Sequence, residues 1–131
     1  MFELTVKRKF SAAHQLRGYQ GKCEQIHGHT YGLEVLVRAE KLNDLGLAAD
    51  FKEIKRMVDQ MLDRYDHCLV NEVPPFDQLN PSAENMARVF YEELKLKLKQ
   101  LSDTELKLED VRQEVLNLLG AGVEDNTYTS I

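Results

Sequence analysis

A chain of 131 residues is long enough to bury roughly two-thirds of the surface its unfolded form exposes, so neither a disulfide nor a metal is needed merely for folding. The formal net charge of −5 argues against a nucleic-acid binder, because such proteins use a basic face to displace phosphate counterions. No apolar run approaches the roughly 18 to 20 residues of a membrane span, and the N-terminus lacks the pattern of a secretory signal. We therefore expect a cytoplasmic protein that engages neither membranes nor nucleic acid.

The first two predicted elements are strands. Residues 2–14 alternate between apolar and polar side chains, which is the period of a half-buried strand. Residues 15–27 contain two glycines and little periodicity, so they predict a loop. Residues 29–40 are rich in β-branched and aromatic side chains and predict a second strand. Two long strands joined by one loop favour an antiparallel pair.

The period then changes to that of a helix. Apolar residues recur at helical spacing from Phe51 to Tyr65, and Asp50 is well placed as the N-cap. A proline-rich connection follows, and Ser82 marks the start of a second helix over residues 83–101.

The last third of the chain allows two interpretations. Residues 106–115 alternate like a strand, but residues 108–122 also space their apolar side chains like a helix face that ends at glycine. We favour the strand, followed by a final strand over residues 123–131. The order strand, strand, helix, helix, strand, strand predicts one α+β domain over residues 1–131, with two helices on one face of a four-stranded antiparallel sheet.

Three histidines are predicted to meet at one end of this sheet. Side chains two apart in a strand share a face, so His27 and His29 can present two imidazoles together if the strand begins at His27. His14 ends the preceding strand, which antiparallel pairing brings close. Three histidines with an open fourth position are typical of a catalytic zinc site. The alternative is a group of core or surface histidines without a metal, since the H-x-H spacing alone is a weak signal.

Cys23 precedes the first histidine of this pair by four residues. A thiol near a dication is deprotonated more readily and can serve as a base or nucleophile. It can instead be a fourth zinc ligand, which would close the site and make it structural. Removing Cys23 distinguishes the two: either activity is lost with the metal retained, or the metal is released.

The fourth histidine, His67, follows Asp66 and precedes the second cysteine, Cys68. At a helix end the carboxylate can orient the imidazole for proton transfer. Alternatively, His67 is a surface residue that caps the helix C-terminus.

Five motifs taken together carry a family resemblance. In order, "FSAAH", "CEQIHGH", "ADFKEIK", "YDHCLVN" and "NPSAEN" resemble the 6-pyruvoyl-tetrahydropterin synthase and 6-carboxy-tetrahydropterin synthase family, over residues 2 to about 98. The resemblance implies the tunnelling fold, in which three subunits join their sheets into a barrel. Two such trimers would stack as a homohexamer with active sites between subunits.

The resemblance also implies a reaction. The substrate would be the pterin 7,8-dihydroneopterin triphosphate, whose side-chain oxygens zinc can polarise. By resemblance, His14, His27 and His29 would bind zinc, and Cys23 would be the catalytic base. Asp66 with His67 would relay the second proton, and Glu84 would bind the pterin.

Two departures from the family pattern affect the product and the pterin site. Glu24, beside Cys23, resembles the subgroup that cleaves the side chain to give 6-hydroxymethyl-dihydropterin for folate synthesis, although a solvated loop glutamate is the alternative. The family's Glu-Thr pair near the C-terminus is missing, so the pterin-anchoring glutamate is either Glu124 or Glu114, and we favour Glu124.

The function expected from this resemblance is a zinc-dependent synthase that forms 6-carboxy-tetrahydropterin in the queuosine pathway. Folate-type cleavage and 6-pyruvoyl-tetrahydropterin synthesis are the enzymatic alternatives. A zinc-stabilised binding module without catalysis is the alternative from another class, and it would require Cys23 to ligate zinc.

Overall fold

The computed structural model describes residues 1–18, 25–101, 105–116 and 123–130, the last of these by its backbone alone. In chain order, its strands and α-helices are β1 (Phe2–His14), β2 (His27–Ala39), α1 (Phe51–Leu62), α2 (Ala83–Leu98), β3 (Leu106–Leu116) and β4 (Val123–Ser130). A short 3₁₀ helix at Val70–Glu72 lies between α1 and α2.

The strands form one antiparallel sheet in the order β1-β2-β3-β4. The predicted α+β class, with an antiparallel sheet and two helices, is confirmed. The strand interpretation of residues 106–115 is confirmed as well. β2 begins two residues earlier than predicted, because its ladder with β1 continues to the pair His14 and His27.

Both helices pack on one face of the sheet. Val6 and Phe10 of β1 point to this face, as does every second residue of β2 from Tyr31 to Ala39, and all are buried. α1 packs against β1, while α2 packs against β3 and β4. The shared apolar core explains why these two amphipathic helices are stable on the sheet.

The helix starts agree with the capping predictions, whereas both helices end earlier than predicted, α2 at Leu98 rather than at residue 101. Asp50 accepts a hydrogen bond from the Lys52 amide, and Ser82 accepts one from the Asn85 amide. α1 ends at Leu62, so Tyr65 lies in the following turn rather than on the helix. Tyr65 is nevertheless fully buried, because its ring packs against other aromatic rings of the core.

The opposite face of the sheet is polar. Lys7 lies 3.5 Å from the Glu34 carboxylate, and Arg38 bridges Glu3 and Glu109 at 3.3 and 3.4 Å. The two faces of the sheet therefore have different chemistry: one forms the core and the other is charged.

A tight connection closes the end of the sheet where β2 runs into α1. The Asn43 side chain accepts hydrogen bonds from the amides of Leu45 and Leu47, and Gly46 adopts φ +79°. Only glycine adopts this left-handed conformation at little cost. We call the region of residues 40–51 the leucine end.

Among the described helices, none is long and apolar enough to cross a membrane.

Candidate metal centre

Three imidazoles converge at the other end of the β1–β2 ladder, which we call the histidine end. His14, His27 and His29 lie on the helix-covered face of the sheet, and one ring nitrogen from each falls within 4.8 Å of the others. His14 is only 6% exposed, whereas His27 and His29 are half-buried. The geometric expectation that antiparallel pairing brings the three histidines together agrees with this arrangement.

Two backbone carbonyls fix which ring nitrogens carry protons. The His14 Nδ1 lies 2.7 Å from the Pro81 carbonyl oxygen, and the His27 Nδ1 lies 2.8 Å from that of Gln25. A carbonyl oxygen can only accept, so each Nδ1 donates its proton. In the neutral rings both Nε2 atoms therefore carry lone pairs, yet they face each other at 2.9 Å. Two lone pairs at this distance repel unless a proton or a cation lies between them.

The electrostatics of His14 favour the neutral ring. Burial lowers the pKa of His14 below its ordinary value, the hydrogen bond to the Pro81 carbonyl partly offsets this, and His27 and His29 lower the pKa further. Neutral imidazole is the form that binds metals. A histidine whose Nδ1–H is held by a carbonyl is the usual arrangement around a metal ligand.

The donor set fits a zinc ion. Zn–N bonds of 2.0–2.1 Å in a tetrahedral site separate ligand nitrogens by about 3.3–3.4 Å. The observed separations of 2.9 Å for the His14–His27 pair and at most 4.8 Å for the set bracket this value. Beneath the site, the Tyr31 ring packs edge-on against His14 and His29 with centroid distances of 6.0 and 5.5 Å. This apolar floor restricts the orientation of both rings.

A second group of polar side chains lies along the edge of β1. The Asp66 Oδ1 accepts a hydrogen bond from the Ser11 amide at 2.9 Å, and its Oδ2 lies 3.1 Å from the His67 Nδ1. The His67 amide donates to the Ser11 carbonyl, which holds His67 at φ 58°. A non-glycine residue in this left-handed region is uncommon and often marks a functional position. His67 therefore does not cap α1, which ends five residues earlier.

An open groove lies between the edge of β1 and the turn that carries His67. Its volume is about 540 Å³, and its lining includes His29 from the histidine cluster together with His67 and Cys68. The Ser11 amide hydrogen bond is the main cause of a lowered pKa for Asp66, with burial opposing it and His67 adding to it. Asp66 is therefore ionised at neutral pH, and its Oδ2 contacts the His67 ring. The Cys68 thiol is free and exposed.

Some of the predicted site residues are not brought together by the described structure. Cys23 and Glu24 lie outside the described residues. Glu84 is exposed in the first turn of α2. Glu124 lies on β4, but its side chain is outside the described part of the chain. The alternative pterin anchor, Glu114, is half-buried on the polar face of β3.

Sequence reasoning missed the residues that surround His14 and the start of the following loop. Asn71 and Asn80 both hydrogen-bond to the backbone just beyond His14, and Arg17 bonds back to the connection that carries them. Both asparagines stand inside the motifs "YDHCLVN" and "NPSAEN", which we used only for the family resemblance. An asparagine in a long connection is a signal of side-chain-to-backbone bonding, but not of its partner.

The fold and the site together define an α+β protein with a three-histidine cluster of the metal-binding type. A family model described as 6-pyruvoyl tetrahydropterin synthase matches residues 3–114. The match covers most of the chain, so this protein belongs to the 6-pyruvoyl tetrahydropterin synthase family. The predicted class, an enzyme of the tetrahydropterin synthase type, agrees with this membership.

Individual relatives agree with the family assignment. The chain is 33% identical over 107 residues to 6-carboxy-5,6,7,8-tetrahydropterin synthase of Bacillus subtilis, which covers 78% of this chain and 71% of the relative. It is 30% identical over 103 residues to 6-pyruvoyl tetrahydrobiopterin synthase of Dictyostelium discoideum, covering 70% and 76%. The structure of Caenorhabditis elegans 6-pyruvoyl tetrahydropterin synthase superposes with a TM-score of 0.73 at 26% identity, covering 99% and 96% of the two chains.

Proposed function

We propose that this chain is a zinc-dependent 6-carboxy-tetrahydropterin synthase that acts early in the queuosine pathway. Its substrate would be 7,8-dihydroneopterin triphosphate, and its product 6-carboxy-5,6,7,8-tetrahydropterin. The observation that carries the proposal is the pair of Nε2 atoms 2.9 Å apart, both with their Nδ1 protons committed to carbonyls, in a chain of this family. The name of the relative in Bacillus subtilis supports the carboxy-forming product.

His14, His27 and His29 would hold the zinc ion. When bound there, zinc would act as a Lewis acid that polarises the side-chain oxygens of the pterin and makes the neighbouring C–H bonds more acidic. The Pro81 carbonyl holds the His14 ring, so that its Nε2 faces the ion. The Tyr31 ring keeps the floor of the site apolar, which strengthens electrostatic interactions within it.

Two groups would move protons. Cys23 would take the first proton as catalytic base, as the resemblance implies. His67, oriented by Asp66, would relay the second proton. The support for His67 is its left-handed backbone, the contact of its Nδ1 with an ionised carboxylate and its place on a groove whose lining also includes His29.

Glu84 and a second glutamate would bind the pterin ring, whose amino and ring N–H groups are donors that a carboxylate accepts. The sequence favours Glu124 as this second glutamate. Support for Glu114 comes from a cavity of about 370 Å³ on the polar face, lined by Glu114 together with Gly32 and Lys9. A Cβ at Gly32 would lie 3.3 Å from the Glu114 carboxylate, so the glycine leaves room for it. Since Glu114 faces away from the histidines, it would serve a site completed by another subunit.

We also propose a homohexamer of two stacked trimers. β1 and β4 are the outer strands of the sheet, and an outer strand with unpaired backbone groups is usually covered by another chain or element. A light-scattering mass six times that of the 15.1 kDa chain would agree with this assembly. A monomeric mass with full activity would contradict the proposal that sites form between subunits.

The experiment that tests the function is the product profile of wild type, Cys23→Ala and Glu24→Gln with 7,8-dihydroneopterin triphosphate. The proposal expects 6-carboxy-tetrahydropterin from wild type and Glu24→Gln, and its loss in Cys23→Ala with zinc retained. Undiminished 6-carboxy-tetrahydropterin from Cys23→Ala would contradict it. Loss of zinc in Cys23→Ala would instead identify Cys23 as a ligand.

The same profile tests the second candidate functions. 6-Hydroxymethyl-dihydropterin that is lost in Glu24→Gln and kept in Cys23→Ala would identify folate-type cleavage, which the neighbouring Cys23 and Glu24 make a specific alternative. 6-Pyruvoyl-tetrahydropterin as the main product would favour the activity named for the relative in Dictyostelium discoideum.

A further inference from the structure

The backbone that leaves β1 after His14 is held by two asparagine side chains. Asn71 accepts a hydrogen bond from the Gln15 amide and donates one to the Gln15 carbonyl, both at 2.9 Å. Asn80 does the same for Arg17, at 2.8 and 2.9 Å. Each asparagine thus satisfies both backbone groups of one residue, as a neighbouring strand would. We call residues 15–17 with Asn71 and Asn80 the asparagine clamp.

Arg17 strengthens the clamp from the other side. Its guanidinium donates to the Phe76 carbonyl at 2.7 Å and reaches the carbonyls of Asn71 and Leu79 at 3.3 and 3.4 Å. The planar guanidinium carries several donors in a fixed geometry, so one side chain can hold several carbonyls at once. Hydrogen bonds therefore run both ways between the backbone that follows β1 and the connection between α1 and α2.

Asn80 is also covalently joined to the group that orients His14. The next residue, Pro81, is buried, and its carbonyl oxygen lies 2.7 Å from the His14 Nδ1. On the preceding side, the Asn80 carbonyl accepts a hydrogen bond from Asn85, whose own amide is capped by Ser82. The Pro81 carbonyl is thus held between the asparagine clamp and the first turn of α2.

We propose that Asn80 is a positioning residue for the histidine site. By fixing residue 17 and the backbone at residues 80 and 81 relative to each other, it keeps the Pro81 carbonyl on the His14 Nδ1. The His14 Nε2 is thereby kept unprotonated and directed toward the other two imidazoles. This inference rests on the proposed role of His14, His27 and His29 as zinc ligands. It predicts that removing the Asn80 side chain weakens zinc binding although no ligand is changed.

The leucine end supplies a matched control. Asn43 is half-buried like Asn80, and its side chain also makes two hydrogen bonds to backbone groups, at 2.9 and 3.0 Å. Asn43→Ala and Asn80→Ala therefore remove a similar amount of side-chain-to-backbone bonding. Only one of them is connected to a histidine of the cluster.

The test measures the affinity of the full-length protein for Zn²⁺ by competition with a chelator, at a temperature where circular dichroism shows every variant to be folded. We expect Asn80→Ala to bind Zn²⁺ about 10- to 100-fold more weakly than wild type, as is typical when a group that orients a ligand is lost. Asn43→Ala should stay within about twofold, because distant sites act independently. Asn80→Asp keeps the acceptor for the Arg17 amide, so its loss of affinity should be intermediate.

Each outcome decides a different point. If the Zn²⁺ affinity of Asn80→Ala lies within twofold of that of Asn43→Ala, whether or not both are weaker than wild type, the positioning role is overturned. If Asn80→Ala does not fold, Asn80→Asp decides: wild-type affinity overturns the proposal, and weakened affinity supports it. A wild-type protein that binds no Zn²⁺ would instead contradict the proposed function, so the two failures are distinguishable.

Discussion

At both ends of the β1–β2 ladder, asparagine side chains hydrogen-bond to the backbone, but the two ends differ in which side chains they leave exposed. At the leucine end, Asn43 folds a turn onto itself and leaves Leu45 82% exposed and Leu47 44% exposed. At the histidine end, Asn71 and Asn80 bond to a part of the chain more than 50 residues away, and His14 is only 6% exposed.

The difference shows how a site can be built from ordinary interactions. A local turn needs only its own residues, and changing it affects little else. The histidine end brings together β1, β2, the connection before α2 and the turn after α1. The His14 ring is oriented by the Pro81 carbonyl from the connection before α2, and the His67 backbone is held by Ser11 of β1. Such convergence holds a constellation in place, which catalysis and metal binding both need.

The largest effect on activity should come from removing one histidine of the cluster. We expect His29→Ala to lose zinc and to lower kcat/KM by about a thousandfold, because a Lewis acid contributes several kcal/mol to the reaction. The measurements are the zinc content of the purified protein and steady-state kinetics with 7,8-dihydroneopterin triphosphate.

The comparison variant at the leucine end is Leu45→Ala. Its kinetics should match wild type, and its free energy of unfolding should change by no more than about 0.5 kcal/mol, since the side chain is 82% exposed. Equal losses in His29→Ala and Leu45→Ala would contradict a functional difference between the two ends.

A smaller effect is expected from His67, which would move a proton without holding the metal. His67→Asn should lower kcat by about a hundredfold, the lower range of general acid–base catalysis, while zinc content stays at the wild-type level. Asparagine is chosen because it tolerates the left-handed backbone at φ 58°. Wild-type kcat in His67→Asn would remove His67 from the proton relay, and lost zinc would assign it a structural role instead.

The smallest effect concerns the stability that Asp66 contributes. Its pKa is lowered in the folded state, chiefly by the Ser11 amide, so the ionised form stabilises the fold above the unfolded-state pKa of about 3.9. The stability advantage of wild type over Asp66→Asn should be present at pH 7 and vanish as the pH falls below about 4. It should not exceed about 1 kcal/mol, because the side chain is 38% exposed. Urea unfolding at both pH values measures it, and an advantage that grows in acid would contradict the assignment.

The fold was predictable from the sequence where one local signal dominated. Alternation identified β1, while Asp50 and Ser82 marked the helix starts through their capping side chains. The end of α1 was not predictable from periodicity, because Tyr65 is buried by tertiary packing and fits the apolar repeat without being helical. The start of β2 depended on its pairing with β1, which is a long-range interaction.

The site was predictable only as far as residue type and strand period allow. The period of two placed His27 and His29 on one face, and antiparallel pairing brought His14 to them. The asparagine clamp joins residues more than 50 positions apart, and no local pattern carries that information. Cys23 and the side chain of Glu124 lie outside the described residues, so the roles assigned to them stay predictions.

The most direct test of the central claim is the product formed from 7,8-dihydroneopterin triphosphate by protein that has been stripped of metal and then reloaded with zinc. We predict that stripped protein forms no product and that zinc restores 6-carboxy-5,6,7,8-tetrahydropterin as the main product. Full activity of the stripped protein, or a different pterin as the main product after zinc is restored, would contradict the account.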